Sequence, residues 1–358
     1  MAIDRLKNIR ISGIACCVPE NIVKTDIFSE DMGEKALKKF KKTTGIEQKH
    51  CCRKDHVITT GDLCFAAAEK LIKELDVDRQ TIDAVILVTQ TPDYGIMPAT
   101  ACVLQYRLGL SENCMAYDIN LGCSGYPYGI HAAGAYMQSG YLKKVLLLEG
   151  EAGAHMVPAE NMLFGEAGTA TLIEYDEEQP VLTFMMKTQG AGFPYIIAPY
   201  GCRHDSDLYM EKVMQGEKPA KTLMDGAEVF NFSIREVPIL VREYCEAFGY
   251  TLDDFDFAAL HQANLIILNQ IMKKTGLPKA KCPISLDIYG NTSSASVPLT
   301  ICDYFNRLNP QEKTEEKKKI LICGYGVGLS LAISSFEIAG SKCFPVFTTN
   351  ENFQDGVL

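Results

Sequence analysis

Short apolar runs recur along the chain, each closed by a glycine or polar residues and followed by a longer stretch of mixed character. "AVILVTQ" (Ala84–Gln90), "CMAYDI" (Cys114–Ile119) and "KKVLLLEGE" (Lys143–Glu151) are too continuously apolar for strands with one wet face, and predict buried strands. "FAALHQ" (Phe257–Gln262) and "KKILICG" (Lys318–Gly324) predict the same in the second half. Between them the period changes. Ser124 to Tyr136 predicts a helix with Pro127 in its first turn, and "HQANLIILNQIMKKTG", starting at His261, places apolar residues at helical spacing. Strands alternating with helices from end to end imply an α/β fold.

The pattern also repeats over a long period. "RLGLSENCMAYDINLGCSGYPYG" followed by "LKKVLLLEGEAG" is echoed by "KTGLPKAKCPISLDIYGNTSSASVP" followed by "EKKKILICGYGVG". Each copy reads as a Gly-Leu, a Cys-containing strand, Asp-Ile, a glycine turn, a helix, a Lys-Lys pair and a strand. Upstream, "TIDAVILVTQTPD" is echoed by "DFDFAALHQANL". Three echoes in one order imply a duplicated α/β unit, with halves expected at residues 1–178 and 179–358 and the seam in "EYDEEQP" (Glu174–Pro180). Two fused copies would set equivalent turns face to face, and Cys123 and Asn291 occupy nearly the same point of their copies.

Composition narrows the classes. The 358 residues are 47% hydrophobic and 22% charged, with no tryptophan and a formal net charge of −10, a globular composition that argues against an extended nucleic-acid surface. A local basic patch could still dock an acidic partner. The N-terminus carries no signal-peptide pattern and no apolar run approaches the roughly 18 residues that span a bilayer, so a cytoplasmic protein with reduced thiols is expected. The 14 cysteines show no CxxC pair, and most read as small buried hydrophobes. Cys51–Cys52, with His50 and His56 nearby, has poor ligand spacing, and no metal is expected there.

Three polar residues stand where strands end. Cys123, in "GCSG", precedes a predicted helix, whose N-terminal amides and dipole would favour thiolate; locally, a packed structural cysteine reads equally well. His261 follows four apolar residues and could be a satisfied core or capping histidine. Asn291, in "YGNTSS", could simply form a turn. "CGYGVGLS" (Cys323–Ser330) lacks the Lys-Ser/Thr end of a phosphate loop, but its amides beside a thiol would make an oxyanion hole. A thiol, an imidazole and a carboxamide suit thioester chemistry, in which the thiolate is acylated and the other two stabilise the enolate left by decarboxylation of a β-carboxy thioester.

"GCSG", "HQAN", "GNTSSASVP" and "GYGVGLS", in that order, resemble the condensing enzymes of the thiolase superfamily, and most nearly β-ketoacyl-acyl-carrier-protein synthase III. The similarity extends through "TTGIEQKH", "PATACVLQYRLGL", "FGEAGTATLI" and "MDGAEVFNFSIREVP", leaving only about the last twenty residues outside it. The resemblance implies a thiolase fold, five-layered αβαβα from two duplicated halves, and usually a homodimer. It implies Cys123 as the acylated nucleophile, His261 and Asn291 as promoters of decarboxylation and condensation, and the amides of Cys123 and Val327 as the acyl oxyanion hole. Met97 would close the acyl pocket, in this family from the partner subunit. Acyl-carrier protein or acyl-coenzyme A would supply the substrates, in fatty-acid synthesis or related lipid metabolism, with no metal or redox cofactor.

The chain departs from the family pattern at the coenzyme A and carrier-docking positions. Lys39 stands where the adenine-stacking tryptophan is usual, Thr43 replaces the arginine before "TGI", and Ile266 and Asn231 replace two docking basic residues; Lys273 and Lys274 remain as possible anchors. These changes point to a specialised paralogue. A degradative thiolase would need a second catalytic cysteine, whereas Tyr325 holds that position and Cys323 reads as a buried strand residue. HMG-CoA synthase would need an acidic third residue, which "YGNTSS" does not supply. Plant-type polyketide synthases use the same three residue types, but the "HQAN" context favours the type III synthase. Glu166 reads as a turn residue or a general base. An acyltransferase of the same fold, moving the acyl group to a hydroxyl or amine, and a non-catalytic partner subunit are the competing readings. A papain-type hydrolase lacks its Cys-Gly-Ser-Cys-Trp context here.

Overall fold

A computed structural model describes residues 2–53, 55–95, 97–152, 162–198, 211, 222–308 and 315–353. Two mixed sheets dominate them. With strands numbered along the chain, the six-stranded sheet runs β15 (Phe347–Thr349), β2 (Ile9–Pro19), β8 (Ala167–Tyr175), β7 (Lys144–Glu151), β5 (Ala84–Val88) and β6 (Met115–Ile119). The five-stranded sheet runs β1 (Ala2–Leu6), β9 (Leu182–Thr188), β14 (Ser330–Ala339), β13 (Lys317–Gly326) and β12 (Phe257–Leu260). Two short ladders, β3 (Ile22–Lys24) with β4 (Gln48–His50) and β10 (Ile196–Ile197) with β11 (Leu223–Met224), lie outside them. The continuous apolar runs form β5, β6, β7, β12 and β13, of which β6 and β12 lie at sheet edges and β6 is only half-buried. Every residue of β5 is buried, and β5 pairs parallel with both β6 and β7, as β12 does with β13.

The helices form three layers. After a single turn, α1 (Ser29–Met32), come α2 (Glu34–Thr44), α3 (Thr60–Glu74), α4 (Thr100–Arg107) and α5 (Gly125–Met137), then α6 (Gly226–Phe248), α7 (Leu265–Thr275), the turn α8 (Leu286–Tyr289) and α9 (Ser296–Arg307). α5 and α9 touch strands of both sheets and fill the centre, α3 and α4 cover the outer face of the larger sheet, and α6 covers that of the smaller, with α7 packed beside it. The order is helix, sheet, helix, sheet, helix. Three apolar clusters match it: one between the sheets, around Tyr126, Leu147, Val297 and Ile322, and one under each outer layer. α5 fits between the sheets because it is built on small residues; a Cβ on Gly129 would lie 2.8 Å from Leu147 Cδ1, and one on Gly134 2.5 Å from Ile9 Cδ1.

Two features differ from the sequence reading. The chain passes from the larger sheet to the smaller between Tyr175 and Leu182, where the seam was expected, but the end strands exchange: β1 lies in the second half's sheet and β15 in the first half's. The expected Cys-containing strand of the second copy does not form. Lys279–Lys281 is a 3-10 turn and α8 a single helical turn. Pro283 has no N–H for a ladder, and the buried Gln262 side chain accepts from the Ser285 amide at 3.1 Å, holding the segment by side-chain bonds instead.

Among the described residues, those beyond the family resemblance are tied down as far as Phe353. β15 extends the edge of the larger sheet beside β2, and Phe353 then packs edge-on against Phe65 (centroids 4.5 Å apart) and under the Arg107 guanidinium at 4.8 Å. The Phe353 amide donates to Asp62 Oδ1 at 3.0 Å.

Candidate active site

The site lies where α5 and α9, the two central helices, begin. Cys123 sits between the end of β6 and the start of α5, and the glycine-rich end of β13 folds directly over it. A Cβ on Gly326 would lie 2.7 Å from Cys123 Cβ and 3.0 Å from its Sγ, and one on Gly324 2.8 Å from the Cys123 carbonyl oxygen. Only glycine allows that approach, and Gly326 also holds φ +156°. A hydroxyl chain ties the two elements together: Ser330 Oγ donates to the Val327 carbonyl at 2.7 Å, and Ser124 Oγ, 2.7 Å from Ser330 Oγ, is left as the donor to it.

Asn291 enters from the opposite side. Its amide donates to the Leu163 carbonyl at 2.9 Å, and its own carbonyl accepts from Gly165 at 3.0 Å. Its side-chain Oδ1 accepts from the Ser293 amide at 2.9 Å, an Asx turn that commits the oxygen and orients the NH2 group away from it. Ser293, held at φ 50°, presents its hydroxyl 3.7 Å from Cys123 Sγ. His261 ends β12. Its Nδ1 lies 2.7 Å from Ser296 Oγ, and the Tyr325 hydroxyl donates to its carbonyl oxygen at 3.0 Å with the two rings edge to face. The three residues singled out from sequence thus meet through one turn, 291–296, whose serines touch the cysteine on one side and the histidine on the other.

Electrostatics correct one expectation. The start of a helix was expected to favour thiolate at Cys123; instead burial raises its pKa, against the lowering effect of the Ser293 hydroxyl and the Val327 and Cys123 amides. With its pKa above the ordinary thiol value, the resting group is the thiol. Those same amides point at the sulfur, where an acyl oxygen would develop charge. His261 is buried and its pKa falls to about 3 because desolvation disfavours the imidazolium; a main-chain bond with Ser293 opposes this. Its imidazole is neutral at physiological pH.

Two carboxyls that the sequence reading passed over lie beneath this turn. Glu151, at the end of β7, is pushed up to about 8 by burial, although Thr91 Oγ1 donates to it at 2.8 Å, the Gln90 amide at 3.1 Å and Ser294 Oγ at 3.4 Å; Cys123 is close enough to raise it further. Glu149, two residues earlier on the same face, is fully buried, and neither of its carboxyl oxygens has a partner among the described residues. Burial, then the Glu151 charge, raises it well above the carboxylate range. Two acids inside the otherwise apolar "VLLLEGE" were the signal for them.

The remaining candidates separate. Met97 is 76% exposed in the single chain and outside the Cys123–His261–Asn291 cluster. Lys273 and Lys274 are exposed at the end of α7, with Lys274 Nζ donating to the Ile234 carbonyl at 2.9 Å. Glu166 accepts from the Cys52 amide at 2.7 Å, a bond of the turn-residue kind. Cys323 is buried in β13, with its thiol raised by desolvation. Among the described residues no group of three His, Cys, Asp or Glu side chains is placed to hold a metal ion, and no helix is long and apolar enough to cross a membrane.

Residues 117–190 match the family described as 3-Oxoacyl-[acyl-carrier-protein (ACP)] synthase III, and residues 245–338 match its C-terminal domain. The chain is 31% identical to the putative 3-oxoacyl-[acyl-carrier-protein] synthase 3 of Campylobacter jejuni, over 96% of this chain and 98% of that one. It is 30% identical to the beta-ketoacyl-[acyl-carrier-protein] synthase III of Streptococcus gordonii, over 91% and 98%. Among solved structures, a 3-oxoacyl-(acyl-carrier protein) synthase from Burkholderia xenovorans superposes with a TM-score of 0.88 at 36% identity, covering 97% of this chain and 99% of that one.

Proposed function

The chain belongs to the 3-oxoacyl-[acyl-carrier-protein] synthase III family of thiolase-fold condensing enzymes, and from that premise we propose that Cys123 accepts the acyl group while His261 and Asn291 drive the condensation. The observation that carries this reading is the turn 291–296, which links Asn291, the Cys123 sulfur and the His261 ring through Ser293 and Ser296.

In the first half-reaction Cys123 Sγ attacks the carbonyl carbon of an acyl thioester. The bond to the donor sulfur breaks and the thiol proton passes to that leaving group. The amides of Cys123 and Val327 hold the oxyanion, and one thioester replaces another at little thermodynamic cost. In the second, a malonyl thioester loses carbon dioxide, and the electrons of the broken C–C bond move onto its thioester oxygen. In the tautomer in which Ser296 donates to Nδ1, the imidazole proton sits on Nε2, and Nε2–H and the Asn291 NH2 group both donate to that oxygen. The enolate carbon attacks acyl-Cys123, the C–S bond breaks, and the thiolate takes up a proton as a 3-oxoacyl thioester leaves. Neither metal nor redox cofactor takes part in these steps.

The changed residues Lys39, Thr43, Asn231 and Ile266 support a specialised paralogue rather than a general initiating enzyme. A homodimer in which Met97 closes the partner's acyl pocket fits the exposure of that residue. Every described cysteine is free, which supports a reducing compartment such as the cytoplasm.

The test is intact-protein mass spectrometry after incubation with acyl-coenzyme A and acyl-carrier-protein thioesters, beside Cys123→Ala. An adduct on the wild type alone, discharged by malonyl thioester to a 3-oxoacyl product, supports the reading. Discharge only to a hydroxyl or amine would convert it to simple acyl transfer. An adduct that persists in Cys123→Ala would overturn the nucleophile.

A further inference from the structure

Helix α2, "EKALKKFKKTT", separates two kinds of residue by face. Leu37 and Thr44 are buried, and Phe40 packs into the apolar cluster that contains Ile46, Ile267 and Leu286. Lys35, Lys38, Lys39 and Lys42 follow the spacing i, i+3, i+4, i+7 and are all exposed. Lys41 is different, clasped by Asp26 at 2.8 Å and Glu47 at 2.7 Å. None of the four stripe lysines pairs with a carboxylate among the described residues. Like charges at these spacings repel within the helix, so the stripe works against folding in a chain whose net charge is −10.

The stripe is placed beside the reaction site. α2 ends at Gly45, which lies against Leu265, the first residue of α7; a Cβ there would come within 2.9 Å of Leu265 Cβ. Leu265 follows directly on the "HQAN" segment that carries His261. Its neighbour Ile266 is 39% exposed, an apolar spot at the same rim.

We propose that the lysine face of α2 docks the acidic surface of the carrier protein that brings the thioester to Cys123, an inference that rests on the condensing reading above. The stripe extends about 10 Å along the helix, which matches a row of carboxylates better than one phosphate cluster, and the exposed Ile266 suits a protein contact.

The experiment compares the full-length wild type with Lys35→Glu/Lys38→Glu, two stripe positions that leave Lys39 in place. Steady-state rates are measured with malonyl-acyl-carrier protein and with malonyl-coenzyme A, and carrier binding is measured separately by titration in a Cys123→Ala background. The expected result is a KM for the carrier-borne substrate raised roughly tenfold with kcat and the coenzyme A constants unchanged, and wild-type carrier affinity that falls steeply with salt. Unchanged carrier binding in the double variant, or an equal loss with both substrates, would overturn the docking face. Absence of any acylation at Cys123 would instead defeat the functional reading, and the binding titration would still decide the surface.

Discussion

Cys123 Sγ and Ser293 Oγ lie 3.7 Å apart, although 170 positions separate them in the chain. The contact joins the two halves at the proposed nucleophile, and Ser293 is held there by Asn291 Oδ1 on its amide. The hydroxyl is the largest of the influences that lower the thiol pKa against burial. Ser293→Ala therefore moves the pH profile of Cys123 alkylation by iodoacetamide to higher pH. Loss of one such bond, about 1 kcal/mol, slows acylation roughly fivefold. An alkylation profile that does not move, or moves to lower pH, would show that the hydroxyl does not act on the sulfur.

Gly326 tests how closely the glycine turn must approach. Its missing side chain leaves room that a Cβ would take from Cys123 Sγ at 3.0 Å. Gly326→Ala displaces the nucleophile by a fraction of an ångström to an ångström, and acylation falls by about 10²-fold. Circular dichroism and the melting temperature report whether the fold survives; a stable variant that acylates at the wild-type rate would mean that the turn yields freely.

Much of this arrangement is legible in the chain. β5, β7, β12 and β13 follow from uninterrupted apolar runs, because a strand buried on both faces leaves no polar alternation. Cys123 and His261 stand out because each interrupts a strand–helix junction, and Asn291 because it occupies the equivalent turn of the second copy. What could not be read is long-range. The Ser293 contact depends on two halves facing each other, and the exchange of β1 and β15 depends on edge pairing that carries no local signal. The thiol of Cys123 went the other way from expectation because local helix position was visible in the sequence and desolvation was not. "CPISLDIYG" repeats the Cys, Asp-Ile and glycine order of the first copy's strand, yet Pro283 and the reach of Gln262 decide its structure.

The fold also holds the C-terminal segment by a small set of contacts. Phe353 meets Phe65, the Arg107 guanidinium and, through its amide, Asp62. Phe353→Ala removes an aromatic pair and a cation–π contact at a half-exposed site, a loss of about 1–2 kcal/mol. Chemical denaturation should detect this as a lower midpoint with unchanged slope. An unaltered midpoint would mean that the segment contributes nothing to stability.

The orphan carboxyl of Glu149 makes stability depend on pH. Its folded pKa is raised well above the ordinary glutamate value, so the folded state keeps a proton that the unfolded state releases. Its full contribution is present below the unfolded pKa near 4.5 and is lost as pH rises toward the folded value. In that window one such group lowers stability by about 1.4 kcal/mol per pH unit. Glu149→Gln, measured by urea unfolding at pH 6, 7 and 8, loses this dependence and gains on the wild type at each step. Parallel curves for the two proteins would show that Glu149 does not titrate differently in the two states.

His261 has the opposite displacement, with the opposite sign. Its folded pKa is about 3, below the ordinary imidazole value of roughly 6.5. The ring therefore stays neutral in the folded enzyme from pH 7 down to about 4, while the unfolded chain takes up a proton near 6.5; stability falls with acid through that interval. The condensation step reads the folded state alone. With acyl-Cys123 prepared in advance, single-turnover decarboxylation of malonyl thioester should show no histidine limb between pH 5 and 7. His261→Ala should abolish most of that step, by at least 10²-fold, because one preorganised donor to the enolate oxygen is gone, while Cys123 is still acylated. An acid limb near 6.5 that disappears in His261→Ala would show that the ring does protonate and works as a cationic donor, and a variant that loses acylation and condensation equally would place His261 at the first step as well as the second.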